Sequence, residues 1–345
     1  MVGAGAGWQR TVKCRNDAVP GCLPDHRKER GAALIIVLGL VALISTWAVS
    51  AAYEDMLSLR RAENSQNAVW AEQASQSALV LSAKILSDDG KKTQTDDLDE
   101  SWAQDTPPFS IDDGSVFGHI IDTNRFINLN ALVDKNGKVV AEVEKQVKTL
   151  FTMLDLDTGL VDALIDWMDA DDQPHGTAGA EDSAYYNRDY HVKNAPLDRW
   201  QELRLIRGFD DKIVNRLVSV AVVREVPASG FSAININTAG MKVLMAIMPK
   251  MTRADAEIFI AERPFNTIDL GLRDRAWAVA VNKGYLSVTS DIFMVRTEAR
   301  FGRVILREKF MLRRQSGGGQ PGKIILLFSE RVERAMTLVK AGKVQ

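Results

Sequence analysis

The chain has 345 residues, 46% hydrophobic and 26% charged, enough for one large domain or two ordinary ones. A formal net charge of −2 speaks against the strongly basic face expected of a nucleic-acid binder. Both cysteines, Cys14 and Cys22, precede Gly31, so a chain cut after Gly31 has neither a disulfide nor a thiolate metal site.

Residues 1–31 carry Arg10, Lys13, Arg15, Arg27, Lys28 and Arg30 against Asp17, Asp25 and Glu29, six positive charges against three negative. Removing that +3 from −2 leaves a mildly acidic −5. From Ala32 to Tyr53 no residue is charged, and roughly 20 apolar residues suffice to span a bilayer as a helix. The basic flank Arg27, Lys28, Arg30 and the acidic flank Glu54, Asp55 place the N-terminus in the cytoplasm and the body across the membrane. Three readings fit this segment. One is a secretory signal cut near Ala48-Val49-Ser50 or Ser50-Ala51-Ala52, and another is a plain signal anchor. The third is a prepilin-type leader cut between Gly31 and Ala32, although this leader is longer than usual. The residues beyond the apolar run favour the third. Residues 54–86 contain neither Gly nor Pro, and Ala68, Ala71, Ala74, Ala78, Leu79 and Leu81 recur at helical spacing. A single helix is therefore expected over 32–86, transmembrane over 32–53 and amphipathic beyond.

Residues 87–127 read as a polar connector running to Pro107-Pro108, then the first part of a β-sheet. Asp112-Asp113-Gly114 between two alternating runs predicts a hairpin. Over 128–284 the period is helical. Val143, Val147, Leu150, Phe151 and Leu154 make one apolar face, and Leu160, Val161, Leu164, Ile165 and Met168 another. Further helices are expected over Leu203–Val220, Ala239–Met248 and Arg253–Ile260, with Thr158 and Thr252 as N-caps. Residues 285–345 return to β-patterning in Tyr285–Val288, Phe293–Ala299 and Val304–Met311. Beyond these come a Gly-rich loop and a last strand over Ile324–Phe328. Strands, a long helical block and strands again predict an α+β fold, one sheet interrupted by a large all-α insertion domain.

The densest acidic constellation is Asp166, Asp169, Asp171, Asp172, Glu181 and Asp182. Asp166 and Asp169, three apart at a helix end, share a face, and a loop with Pro174, Gly176 and Gly179 can bring Glu181 and Asp182 back towards them. Oxygen ligands at irregular spacing suit calcium, and the EF-hand pattern is missing. The expected ligands are Asp169, Asp171, Glu181 and Asp182, with Asp166 as a supporting or alternative one. A solvated acidic loop is the plainer reading. A catalytic pair such as Asp169 and Glu181 would be the enzymatic one, and no further motif supports it. His175 and His191 near the acids match no zinc spacing.

Asn235-Ile236-Asn237-Thr238-Ala239, followed by the apolar positions Leu244, Ile247, Ala256, Ile258 and Ile260, resembles a helix-hairpin-helix unit. Its turn, Pro249-Lys250-Met251, lacks the glycine whose amides would cradle phosphate, so nucleic acid is not an expected partner. Asn235 and Asn237 are expected to fix the turn and cap the helix that begins near Ala239.

The leader junction and the motifs Asn128-Leu129-Asn130, Asp166-Trp167-Met168-Asp169-Ala170-Asp171, Gly179-Ala180-Glu181-Asp182 with Tyr185-Tyr186, Glu202-Leu203-Arg204, Asn235-Ile236-Asn237-Thr238-Ala239 and Ser290-Asp291-Ile292-Phe293 occur in an order that resembles the type II secretion pseudopilins. Within them the likeness is to the large minor pseudopilin family called protein K, over Gly31 to about residue 315. The resemblance implies a pilin-like antiparallel sheet behind the N-terminal helix, calcium in the 166–182 segment, and a non-catalytic tip subunit of the periplasmic pseudopilus. That subunit would initiate assembly and help export folded proteins across the outer membrane. The implied partners are the I- and J-type minor pseudopilins, the major pseudopilin, the prepilin peptidase and the inner-membrane secretion platform. Most pilin-like proteins carry glutamate at the fifth mature position. Here that position is Ile36, as the resemblance implies for a subunit with none ahead of it. The alternative is a signal-anchored periplasmic adaptor binding DNA or peptide through its helix-hairpin-helix units.

Overall fold

The structure is a computed structural model that describes residues 29–104, 107–227, 230, 232–315 and 322–336. Most of the leader, with Cys14 and Cys22, lies outside the described residues. The contacts divide the chain into two units, residues 1–63 and residues 64–345.

Helix α1 runs from Glu29 to Lys92. In the first unit it is long and apolar enough to cross a membrane, and its large side chains, among them Leu34, Ile36, Leu43 and Trp47, are exposed all round. A helix apolar all round, with no packed neighbour over this stretch among the described residues, fits a membrane anchor.

In the second unit the rest of α1 lies on one face of a five-stranded antiparallel sheet, in the order β1 (Phe109–Ile111), β2 (Gly114–Asp122), β7 (Ile292–Phe301), β8 (Val304–Arg314), β9 (Ile324–Met336). Ala71 and Ala74 are buried against Val116, Ala299, Phe301 and Leu306, and Leu79 and Leu86 against Ile120, Phe293, Val295 and Phe310. Small side chains let the helix approach the strands closely. Ser75 takes part in this contact, with its hydroxyl 2.6 Å from Thr297 Oγ1 and donating to Glu308 Oε2 at 2.6 Å. At the β7–β8 turn Gly302 has φ +53°, and a Cβ there would stand 2.3 Å from Asn67 Nδ2. Glycine is required on both counts.

α1 is longer than the sequence predicts, ending at Lys92 rather than 86. Lys84 donates to Asp88 one turn on, and Asp89 accepts from Arg314 Nη1 at 2.7 Å, so the extra turns have partners. The connector is also more ordered than its polarity suggests. Asp96 and Trp102 are buried, Arg314 Nη2 reaches both Asp96 oxygens at 2.5 Å, and the Arg314 guanidinium lies 4.8 Å from the centre of the Phe293 ring.

Between β2 and β7 stands the helical block. It contains α2 (Ala141–Met153), α3 (Gly159–Asp166), α4 (Asp211–Leu217), α5 (Met241–Ile247), α6 (Arg253–Ala261) and α7 (Ile268–Leu272), with 3-10 turns between them. Two short parallel pairs sit at its base, β3 (Ile127–Asn128) with β4 (Ala221–Val222) and β5 (Ile234–Asn235) with β6 (Leu286–Ser287). Both apolar faces read from the sequence bury against one core, Leu160 only partly.

Some local expectations fail. Leu203–Val220 is not one helix: a 3-10 turn over Trp200–Leu205 ends before Gly208, whose φ is +88°, and Asp210 then caps α4 by accepting from Ile213 N at 2.8 Å. Thr252 caps α6 in a reciprocal box with Asp255, but the Thr158 hydroxyl caps nothing, and Asp157 Oδ1 accepts from Gly159 N instead. Asn235 and Asn237 do not cap α5, which starts after Gly240. Asn235 donates to Asp96 O and Ser290 Oγ, and Asn237 forms a two-way bridge to the Phe265 backbone. Tyr285–Val288 supplies only the two-residue β6, because its neighbour β5 is equally short. β9 outruns Ile324–Phe328, pairing with the whole of β8.

Candidate metal centre

α3 carries Asp162 and Asp166 one turn apart, and the chain turns at Trp167 so that Asp169 N still donates to Ile165 O at 2.8 Å. The loop over residues 170–180 then folds back over α3. Gly176 has φ +60°, and a Cβ there would lie 2.4 Å from Asp162 Oδ2; a Cβ on Gly179 would lie 2.5 Å from Asp166 Oδ2. The two glycines let backbone amides reach the acids. His175 N donates to Asp166 Oδ1 at 2.8 Å, Ala180 N to Asp166 Oδ2 at 2.5 Å, and Ala178 N to Asp162 Oδ2 at 3.3 Å.

This fold-back delivers Glu181 to Asp166 and Asp169. One carboxylate oxygen from each of the three lies within 4.8 Å of the others, and the residues are 0%, 3% and 7% exposed for Asp166, Asp169 and Glu181. Asp169 Oδ1 and Glu181 Oε1 are buried with no hydrogen-bond donor among the described residues. Burial, reinforced by Asp171 and Asp166, pushes Asp169 up to about 6. Burial, reinforced by Asp166 and Asp169, pushes Glu181 up to about 7. Asp166 is raised by burial against the two amides that favour its ionised form. Three buried carboxylates at this separation cannot all stay ionised without a cation. The oxygen-only donor set and the two orphaned oxygens fit calcium better than a softer metal.

Asp171 and Asp182, also expected as ligands, are not brought into this group. Asp171 is exposed, and its Oδ1 closes a turn by accepting from Gln173 N at 2.9 Å. The Asp182 side chain is 63% exposed; its Oδ1 accepts from Val192 N at 2.8 Å, and its Oδ2 lies 3.2 Å from His191 Nδ1. The adjacent group Glu144, Asp162 and His175 has its own cation. Lys148 Nζ lies 2.7 Å from Glu144 Oε1 and 2.8 Å from Asp162 Oδ1, and His175 Nε2 is 3.0 Å from Glu144 Oε1. That lysine belongs to α2, outside the acidic segment. Lys193, the nearest lysine downstream of the acids, pairs with Asp198 and Glu202 instead.

Gly31 and Ala32, the expected processing junction, lie in the first turn of α1, with Ala32 exposed.

Family profiles described as type II secretion system (T2SS) protein K match residues 125–226 and 234–288. The type II secretion system protein K of Pseudomonas aeruginosa is 32% identical over 235 residues, covering 64% of this chain and 69% of the relative. That of Aeromonas hydrophila is 29% identical over 335 residues, 86% of this chain and 100% of the relative, and that of Pectobacterium carotovorum subsp. carotovorum 27% over 307 residues, 83% and 92%. Among solved structures, a chain of the GspK-GspI-GspJ complex from the enterotoxigenic Escherichia coli type 2 secretion system superposes with a TM-score of 0.68 at 24% identity. That match covers 79% of this chain and 99% of the other, and establishes the shared fold. With helix, sheet, insertion and relatives in agreement, the chain belongs to the type II secretion system protein K family and is a minor pseudopilin of that system.

Proposed function

We propose that this minor pseudopilin is the tip subunit of the periplasmic pseudopilus, anchored in the inner membrane with its N-terminus in the cytoplasm and its body in the periplasm. The observation that carries this reading is the exposed, uncharged stretch of α1 after Ala32, with Ile36 where a glutamate would serve a preceding neighbour. A buried carboxylate in lipid is costly unless paired, and a subunit with no neighbour ahead has nothing to pair it with. The helical block between β2 and β7 adds bulk that a filament end accommodates more readily than its interior. The similar Escherichia coli chain was solved with GspI and GspJ, which supports I- and J-type minor pseudopilins as partners here. The prepilin peptidase, the major pseudopilin and the inner-membrane platform complete the proposed set. The role is structural, with no chemistry assigned to Asp169 and Glu181 as an acid–base pair.

Calcium would be held by Asp166, Asp169 and Glu181. It would supply the positive charge these carboxylates lack and so tie the end of α3 to the returning loop.

N-terminal mass spectrometry of the membrane-inserted protein tests the anchor. Ala32, N-methylated, is the expected first residue; a start beyond residue 50, or an uncut leader, would sink the pseudopilin processing. Removing calcium with a chelator should lower the melting temperature of the purified protein, and an unchanged value removes the ion from the proposal.

A further inference from the structure

The sheet face turned away from α1 is striped. One row crosses the strands as Ile121, Met294, Met311 and, on β9, Phe328; these are register partners and all apolar. The next row runs from His119 on β2 through Arg296 on β7 and Lys309 on β8 to Glu330 on β9. Arg296 and Lys309 are directly opposed, an arrangement that costs free energy in an isolated sheet. A third row is self-neutralised, with Arg307 Nε 2.6 Å from Glu298 Oε2.

The apolar row and the cationic row together form one wall of a groove of about 600 Å³. The opposite wall comes from the helical block, through Phe126, Trp200, Val218 and Val222. The charges lining this groove do not balance. Asp198 is taken by Lys193 and Arg331 by Glu72, whereas Glu330, the register partner of Lys309, forms no ion pair with it and accepts from Gln201 Nε2 at 2.9 Å, so a single carboxylate stands against Arg296, Lys309 and Arg199. Arg296, Lys309 and Arg199 have no carboxylate partner among the described residues. Desolvation, with no compensating anion, holds Arg296 below the usual arginine range.

We infer that this groove docks an acidic peptide segment of a partner protein, one carboxylate meeting Arg296 and Lys309 while a flanking apolar side chain lies along Met294, Met311 and Phe328. A carboxylate between the two cations converts their mutual repulsion into two charge-assisted hydrogen bonds. A small inorganic anion would satisfy the cations and leave the apolar row in water. An uncharged apolar peptide would do the reverse. Only a segment combining the two chemistries covers both rows, with specificity set by charge complementarity.

The test uses the full chain in neutral-lipid nanodiscs, with ¹³C-methyl methionine so that Met294 and Met311 report from inside the groove. The probes are two pools of heptapeptides, one with Asp or Glu between Leu, Phe or Met residues, the other with Asn or Gln in the central position. The acidic pool should shift both methyl signals saturably and bind at least tenfold more tightly than the neutral pool. The double substitution Arg296→Gln, Lys309→Gln should abolish that preference while leaving the melting temperature unchanged or higher. Equal binding by the two pools, or a failure of the acidic pool to shift either signal, overturns the inference. So does the same saturable shift with inorganic phosphate alone, or a lower melting temperature in the double variant, which would make the cations structural.

Discussion

At Glu181 burial and four neighbouring carboxylates, Asp166 and Asp169 foremost, act in the same direction, so its proton is held to about 7 against an ordinary 4.5. Between those values the folded chain binds a proton the unfolded chain has released, so without a metal stability falls as pH rises through this window. Asp169, lifted from 3.8 to about 6, adds slope of the same sign. In chelator the melting temperature should therefore climb as pH drops from 7.5 to 5.5, and Glu181→Gln should flatten that climb. Glu100, pushed up to about 7 by burial although it accepts from Trp102 Nε1, contributes a slope of the same sign; its neighbours Asp89 and Asp96 already hold the Arg314 cation, so calcium at Asp166, Asp169 and Glu181 should leave that slope in place. Thermal melts at several pH values, with and without calcium, separate the two contributions. Side-chain identity sharpens the metal assignment further. Asp169→Asn and Glu181→Gln should lose most of the calcium-induced rise in melting temperature, whereas Asp171→Asn, altering a group that closes its own turn, should keep it. Equal loss in all three would move the ion out towards the exposed loop.

Arg314 on β8 shows how single contacts join elements. Its guanidinium holds Asp89 at the end of α1 and Asp96 in the connector, with all three side chains nearly inaccessible. Arg314→Ala would leave two buried carboxylates without their cation, at a cost of about 3–5 kcal/mol. Urea unfolding of the variant should show the loss as a lower midpoint, and a change below about 0.5 kcal/mol would mean the pair is solvated in practice. The same cluster marks where sequence reading ends. The α6 cap is legible because Thr252 and Asp255 are three residues apart and answer each other locally. The β1–β2 hairpin is legible for the same reason, with Asp112, Asp113 and Gly114 in one turn. Asp96 reads as another exposed acid in a polar linker because its partner is 218 residues away. The candidate centre divides similarly. Asp166 and Asp169 share a helix end, so their convergence is visible in spacing alone. Excluding Asp171 and Asp182 depends on which backbone amides the loop presents to them, and pattern does not encode that.

For the molecule as a whole, the alternation of strand and helix periods announces both the sheet and its interruption. The outward face of the sheet stays hidden, because its stripes appear only when β2, β7, β8 and β9 are set in register. Calcium, if held as proposed, acts on the helical block alone. Hydrogen exchange should show increased protection on adding calcium over residues 159–198, leaving β2, β7 and β8 unchanged; protection spread evenly over the sheet would contradict a local role.

β2 and β7 are neighbours in space, but the bond from Thr123 Oγ1 to Ile292 O spans 169 residues of chain. Closing a flexible loop of that length costs on the order of 4–5 kcal/mol in chain entropy. If the helical block folds first, its two ends already stand together, Asn124 Oδ1 accepting from Ile292 N and Asn235 N donating to Asn124 O. The block then acts as a clasp, and the sheet inherits its closure. With the body exported as proposed, this sets an order of events. The β1–β2 hairpin leaves the membrane early and waits, its inner edge unpaired, until more than half of the remaining chain has crossed. That bare edge is where the unfinished subunit is most open to edge-to-edge pairing and aggregation.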